Sequence, residues 1–555
     1  MMKRVVISVL ILFCIYLQVS AQNVISSKSL NSHVKHWIYF TDKNNSRFST
    51  AKPSGYLSDA SIERRKKQMI PIREMDLPVN EIYISAIKST GAEIIVCSKW
   101  MNAVSVIATD EQLALISELP FVNKIENVRS WSRVPDDAIQ IENQNTFYRK
   151  DETESSDYGG SYNQINMIHI NDIHDLGFRG EGMIIAVLDA GFSGVDTGVG
   201  FQSFWEKGQI IETHNFPDHN DFVFFSSSHG SNVLSIMGAD VPGTYIGSAP
   251  DAKFYLLRTE IADSESVAEE DYWLQAAEFA DSVGADIINS SLGYTTFDNP
   301  FDDHTYADMD GNTTIITKAA DWAASVGILV CNSAGNSGND PWKYIGAPAD
   351  GDSVFTIGAV NGNEVPAAFS SIGPTSDGRI KPNVTCQGEG TAVLDKSGLV
   401  YTGSGTSYSS PLMAGACASF WQAFPEYSNM QIMDVVQRSA DHYFHPDNKI
   451  GYGIPDFNIA YLLLKNGSPE NELLNIFPNP AGEYTIVQIN SDEIGPANLD
   501  IYDVSGKFLR NYSIMMHENE ITSFVMTDIS NLASGIYILS LTTPAQTISR
   551  QLYIK

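Results

Sequence analysis

Three glycine-flanked segments carry an aspartate, a histidine and a serine, residue types that together suit nucleophilic catalysis. They are Val187-Leu188-Asp189-Ala190-Gly191, His229-Gly230-Ser231 and Gly405-Thr406-Ser407-Tyr408-Ser409-Ser410-Pro411. A serine hydroxyl is a poor nucleophile at neutral pH. It needs a base to take its proton, and the base needs a carboxylate to hold its tautomer and stabilise the imidazolium. Each segment alone says little, because an apolar strand ending in Asp is common in α/β proteins. Their joint order and spacing argue for one site. A fourth segment, Asn332-Ser333-Ala334-Gly335-Asn336-Ser337-Gly338, follows the apolar run Ile328-Leu329-Val330-Cys331. Read alone, it is a turn in which asparagine tolerates a left-handed backbone.

These residues must be held by elements that the pattern also predicts. Residues 184–188 read as a strand ending at Asp189, and His229 starts a helix running through Val233 and Ile236. Residues 254–257 and 287–292 read as strands, 272–282 and 314–325 as helices, and Ile328 opens a further strand. The alternation predicts an α/β fold, a parallel sheet with helices on both faces. Catalytic residues then fall at the C-terminal ends of strands. Ser407 heads an apolar helix at 412–420, with Pro411 in its first turn. The plainer alternative makes Ser407 an N-cap. The glycines after Asp189 do not form Gly-x-Gly-x-x-Gly, so a dinucleotide site is rejected.

The four segments resemble those of the subtilisin family of serine proteases, the subtilases. The resemblance implies a subtilisin-like fold and a serine endopeptidase with Asp189, His229 and Ser407 as its triad. In that family the Asn of such an Ala-Gly-Asn turn donates its side-chain amide to the oxyanion, and Asn336 stands at that place. Ser291-Leu292-Gly293 matches the edge that pairs with an extended peptide, and Ser333-Ala334-Gly335 matches the opposite wall. Gly346 matches the base of the main specificity pocket and would leave it roomy and uncharged. One departure is Ala190, where the family usually has Ser or Thr after the catalytic Asp. It removes a hydroxyl near the carboxylate but no catalytic group. No cofactor is implied for the chemistry. The resemblance leaves structural calcium open, with the metal ligands unknown. The acidic stretch 298–312, with Asp298, Asp302, Asp303, Asp308 and Asp310, offers oxygens of the kind calcium takes. It lacks the spacing of a calcium loop and reads as a solvated insertion.

Length and charge divide the rest. At 555 residues the chain is too long for one core. A formal net charge of -31 argues against nucleic acid as a partner. Lys3-Arg4, the apolar run 5–17 and Val19-Ser20-Ala21 read as a signal peptide over 1–21. No later stretch is long and apolar enough for a transmembrane segment. Residues 22–135 resemble the inhibitory propeptides of subtilisin-like enzymes, through the strand–helix–strand pattern at 102–126. The stretch 23–135 holds 15 Lys/Arg and 11 Asp/Glu, whereas 136–555 holds 18 Lys/Arg and 55 Asp/Glu. The step suggests electrostatic complementarity. The run Arg64-Arg65-Lys66-Lys67 reads as a solvated helix face. Residues 136–161 are polar, hence a linker with the maturation site, and 162–466 form the catalytic domain. Cys331, Cys386 and Cys417 sit in apolar settings and read as free thiols.

After a linker at 467–472, residues 473–555 show short strand-like runs between turn signals, hence a small β-sandwich. Phe477-Pro478-Asn479-Pro480, Asp503-Val504-Ser505-Gly506-Lys507 and Leu532-Ala533-Ser534-Gly535-Ile536-Tyr537 resemble the C-terminal sorting module of the Bacteroidetes type IX secretion system. The expected partners are protein or peptide substrates, the chain's own propeptide and that secretion machinery. The expected location is secreted or at the cell surface. A rival of another class, an inactive peptidase-like surface binding protein, gains nothing from the sequence, because every catalytic position is occupied.

Overall fold

A computed structural model describes residues 35–128, 146–147, 157–261, 264–443, 445–465, 473–482, 484–490, 494–516 and 521–555. The signal peptide, the linker at 467–472 and most of the 136–161 segment lie outside the described residues. Within that last segment, Thr146–Phe147 pairs with the Val400–Gly403 strand, and Ser161 is fully buried.

The centre is a seven-stranded sheet. Its order is Val384–Glu389, Val354–Asn361, Leu329–Ser333, Ile287–Ser290, Ile184–Asp189, Lys253–Arg258 and Ile210–Asn215. Every neighbouring pair is parallel. Such strands are covered on both faces and so carry continuous apolar runs. In Ile184–Asp189, Ile185 and Val187 enter one core, and Ala186 and Leu188 enter the other, because successive side chains alternate faces. Helices His229–Gly238, Thr406–Gln422 and Phe457–Lys465 close the first core. Helices Val267–Val283 and Ile315–Ser325 close the second. Val267–Val283 starts earlier than its apolar pattern, because the Glu269 carboxylate accepts the Ser266 amide at its N-cap.

The chain enters the sheet at Ile184–Asp189, builds to the Ile210–Asn215 edge and then crosses to Ile287–Ser290 on the other side. Strand order therefore reverses between Ile184–Asp189 and Ile287–Ser290. Open α/β sheets bind ligands beyond the carboxyl ends of strands at such a point.

Residues 35–127 form a four-stranded antiparallel sheet, ordered Glu93–Ser98, Ala103–Ile107, Lys35–Phe40 and Val122–Asn127. One face packs its own core of Ile38, Phe40, Val104, Val106, Ile87 and Ile116. Trp37, Val96, Trp100 and Ala103 instead join the core beneath Val267–Val283 and Ile315–Ser325. The basic run is a solvated face only at Lys66 and Lys67. Arg64 and Arg65 are 4% and 1% exposed. Both pair with the buried Asp281, at 2.6 and 2.8 Å, as does Lys99 at 2.8 Å. Lys35 pairs with Asp271 at 2.5 Å, both fully buried. Glu278 accepts the Ser98 hydroxyl and the Lys99 and Trp100 amides at 2.6–3.0 Å. The charge step in the sequence is thus realised in a few buried pairs on one helix.

The C-terminal region is a sandwich of a three-stranded and a four-stranded sheet, all pairs antiparallel. Leu499, Ile501, Phe524, Leu539 and Leu552 fill its interior. Ile486 and Val525 pack into the catalytic core instead.

Candidate functional site

Asp189 ends its strand fully buried. His229 opens its helix, and its Nδ1 lies 2.9 and 3.0 Å from the two carboxylate oxygens of Asp189. The Ala190 amide donates to Asp189 Oδ1 at 2.8 Å. Gly230 lets the His229 helix approach this closely. A Cβ there would lie 2.5 Å from Gly191 O and 3.0 Å from Asp189 Cβ. Burial would lower the His229 pKa, but the Asp189 charge and hydrogen bond outweigh it, so the net shift is upward.

Ser407 lies in the first turn of Thr406–Gln422, behind Gly405 at the N-cap. It is therefore not the N-cap, and its amide is one of the first-turn N–H groups with no partner inside the helix. Pro411 is an interior residue rather than a first-turn one. Interior proline removes one helical hydrogen bond, here the one to the carbonyl of Ser407. That carbonyl instead accepts the Ser291 hydroxyl at 3.0 Å. The Ser407 hydroxyl donates to the Ser291 carbonyl at 3.3 Å. The residue after the Ile287–Ser290 strand, at the strand-order reversal, is thereby locked to the start of the Thr406–Gln422 helix.

Asn336 follows Gly335, whose φ of +101° suits glycine. Its Oδ1 accepts the Thr406 amide at 2.9 Å and the Thr406 hydroxyl at 3.0 Å. A backbone N–H can only donate, so the oxygen must face Thr406. Nδ2 is left without an acceptor among the described residues.

His229, Ser407, Asn336, Ser291, Leu292, Gly293, Ser333, Ala334, Gly335 and Gly346 line one cleft of about 410 Å³, with Asp189 behind His229. All the sequence-derived candidates thus converge. Sequence reasoning missed Thr406, which orients Asn336, and Glu260, Glu265 and Glu269, which also line the cleft. The Ser266-to-Glu269 capping spacing was a visible signal for the last of these.

In the acidic stretch 298–312, Asp308 and Asp310 are already engaged by their own loop. Asp310 Oδ1 accepts the Asn312 and Thr313 amides, and Asp308 Oδ2 accepts the Thr305 amide and hydroxyl. These carboxylates close turns. Among the described residues, the convergent acidic group is Glu260, Glu265 and Glu269. Cys97, Cys331, Cys386 and Cys417 are free. No helix among the described residues is long and apolar enough to cross a membrane.

Comparison with known proteins adds three matches along the chain. Residues 35–145 match a Peptidase S8 propeptide domain of Bacteroidota. Residues 180–453 match the subtilase family. Residues 475–555 match a secretion system C-terminal sorting domain, which marks the chain for export to the cell surface or beyond. Subtilisin NAT of Bacillus subtilis subsp. natto is 30% identical over 283 residues, covering 50% of this chain and 65% of that relative. Subtilisin of Bacillus pumilus is 30% identical over 283 residues, covering 50% of this chain and 90% of that one. The solved structure of MycP1 with its N-terminal propeptide removed aligns at 22% identity with a TM-score of 0.44, over 56% of this chain and 99% of that one. With the motifs converging on one cleft, and a relative matched over nearly its whole length, the chain belongs to the subtilase family.

Proposed function

We propose that the chain is a secreted serine endopeptidase, made as a zymogen that processes itself. The observation that carries this reading is the paired contact of His229 Nδ1 with both Asp189 oxygens, in the cleft that also holds Ser407 and Asn336. Ser407 Oγ attacks the peptide carbonyl carbon while His229 Nε2 takes its proton. Asp189 holds the tautomer and stabilises the imidazolium. The tetrahedral oxyanion is met by Asn336 Nδ2 and the Ser407 amide, which the Thr406 contacts and the helix start leave free. Collapse breaks the C–N bond, and His229 returns the proton to the leaving amine. Water, deprotonated by His229, then attacks the acyl-enzyme and frees Ser407.

The substrate lies extended between Ser291-Leu292-Gly293 and Ser333-Ala334-Gly335, with one side chain entering the pocket at Gly346. The chemistry uses no cofactor. A structural calcium site would have to recruit carboxylates that do not already close turns. The N-terminal unit inhibits until the chain is cut in the 136–161 segment, and residues 473–555 engage the type IX secretion machinery. Labelling the secreted protein with a fluorophosphonate tests the catalytic reading. Stoichiometric label on Ser407 with loss of peptide hydrolysis is expected. Unlabelled, inert protein would favour a binding role.

A further inference from the structure

Three glutamates line the cleft and take no part in the steps above. Glu260 follows the Lys253–Arg258 strand, and Glu265 and Glu269 flank the start of Val267–Val283. One carboxylate oxygen of each lies within 4.8 Å of the others. Glu260 is 8% exposed and Glu269 1%. Glu260 Oε1 accepts the hydroxyls of Tyr294 and Thr259, and Tyr294 directly follows the Ser291–Gly293 wall. Glu260 Oε2 has no donor among the described residues, although its side chain is nine-tenths buried and lines the cleft. Glu265 makes no side-chain hydrogen bond among them. Glu269 has both oxygens engaged, by the Ile261 and Ser266 amides, each at 2.7 Å. No Lys or Arg among the described residues is paired with any of the three.

Burial, and then the Asp189 charge, push Glu260 up to about 7 against the Tyr294 and Thr259 hydrogen bonds and the Arg258 charge, and burial with the charges of Glu260, Asp298 and Glu270 pushes Glu265 up to about 8. Crowded, desolvated carboxylates of this kind are relieved by a cation. Calcium takes six to eight oxygens, and after the Tyr294 and backbone contacts only Glu260 Oε2 and the Glu265 pair are uncommitted. An ammonium brings three donors, which matches those three oxygens. The cleft also receives a peptide rather than bulk ions.

Resting on the peptidase reading, we propose that Glu260 and Glu265 form a subsite for a cationic group of the substrate a few residues from the scissile bond. The shared chemistry is an ammonium or guanidinium, supplied by a Lys or Arg side chain or by a free α-amino group.

The test uses the full secreted enzyme and fluorogenic peptides in which lysine is exchanged for norleucine position by position on both sides of the scissile bond. Each peptide is made with a free and with an acetylated N-terminus. One position is expected to show about a 10- to 100-fold preference in kcat/KM for the cation, the range of charge-assisted hydrogen bonds. If the α-amine is the source, acetylation removes the preference and the lysine scan is flat. In Glu260→Gln/Glu265→Gln the ratio should fall to within about threefold of unity. Glutamine keeps the size and an acceptor for Tyr294, and the ratio does not depend on the active fraction. Should the double variant fail to fold, Glu265→Gln alone decides, with a partial fall expected. The proposal is overturned by a wild-type enzyme indifferent to charge in both scans, or by a preference that survives the substitutions. It is overturned equally by calorimetry showing stoichiometric calcium binding that the double variant loses. An enzyme that labels with fluorophosphonate but ignores charge sinks only this inference. One that neither labels nor cleaves any peptide sinks the peptidase reading.

Discussion

The helix Val267–Val283 and the residues just before it carry two groups of carboxylates with opposite fates. Asp271, Glu278 and Asp281, along the helix, are buried against the N-terminal unit and each has a donor from it. Of the three at its start, Glu260 and Glu269 are nearly as hidden and Glu265 is half-buried, and they line the cleft with no ion-pair partner among the described residues. Burial pushes every one of these groups upward. For Asp281 the charges of Lys99, Arg64 and Arg65 outweigh burial and hold the carboxyl down at about 2. For Glu265 nothing opposes burial, and its neighbours' charges push it further, to about 8. The lesson is that acidity along a helix says little until the opposing surface is known. The first group forms a lock that a resident partner fills, and the second is left for a transient one.

The largest effect separates the two regions. Ser407→Ala should abolish turnover, with a loss of about 10⁶ in kcat, the size of loss that removal of the nucleophile causes in subtilisin. The lock is untouched, so the precursor should accumulate with the N-terminal unit attached, as seen by intact mass. A fully processed Ser407→Ala protein would break the self-cleavage claim.

The converse change is Asp281→Ala. It leaves Arg64, Arg65 and Lys99 buried without their shared carboxylate. Breaking a buried ion pair from one side costs about 3–5 kcal/mol. Inhibition by the N-terminal unit should therefore weaken by about 10²–10⁴-fold, with kcat of the mature enzyme unchanged. Undiminished inhibition would show that the buried pairs are not what holds the unit in place.

Asn336→Ala should lower kcat by about 10²–10³, or roughly 2.7–4 kcal/mol, with little change in KM, because its amide acts on the transition state. Thr406→Val, which removes one of the two anchors of Asn336 Oδ1, should give a smaller loss in the same direction. An equal loss in KM would instead point to a role in substrate binding.

pH should move the regions apart. The Asp281 carboxyl lies below its ordinary 3.8 only while its cations are present. Its contribution to binding the N-terminal unit is therefore complete above about pH 4 and is lost as pH falls through about 2. Salt should matter little, because the pairs are buried and poorly screened. His229 must be neutral to act as base and its pKa is raised above 6.5, so activity should fall off on the acid side at a pH above that value. The smallest effect on chemistry should come from deleting residues 473–555. Turnover should persist, with lower thermal stability because Ile486 and Val525 leave the catalytic core. Export from the native host should cease, and secretion at normal levels would remove the sorting role.

The segments carrying Asp189, His229, Ser407 and Asn336, the α/β alternation and the sandwich at the end of the chain were all legible in the residues alone. Catalysis demands particular residue types, and the periodicity of strands and helices is local, so both leave a mark within a few residues. Even the limits of elements were legible where a cap marks them, as at Thr314, whose side chain caps Ile315–Ser325. Tertiary structure alone decided the rest. Arg64 and Arg65 look solvated in the sequence and are buried, because their partner Asp281 lies more than 200 residues away. Pro411 looks like a helix start and is interior, because Ser291 accepts the role of the missing donor. Glu260, Glu265 and Glu269 become one cluster only when the segment after the Lys253–Arg258 strand folds back beside the start of the Val267–Val283 helix. Long-range partners set burial, and burial sets what a charged side chain can do.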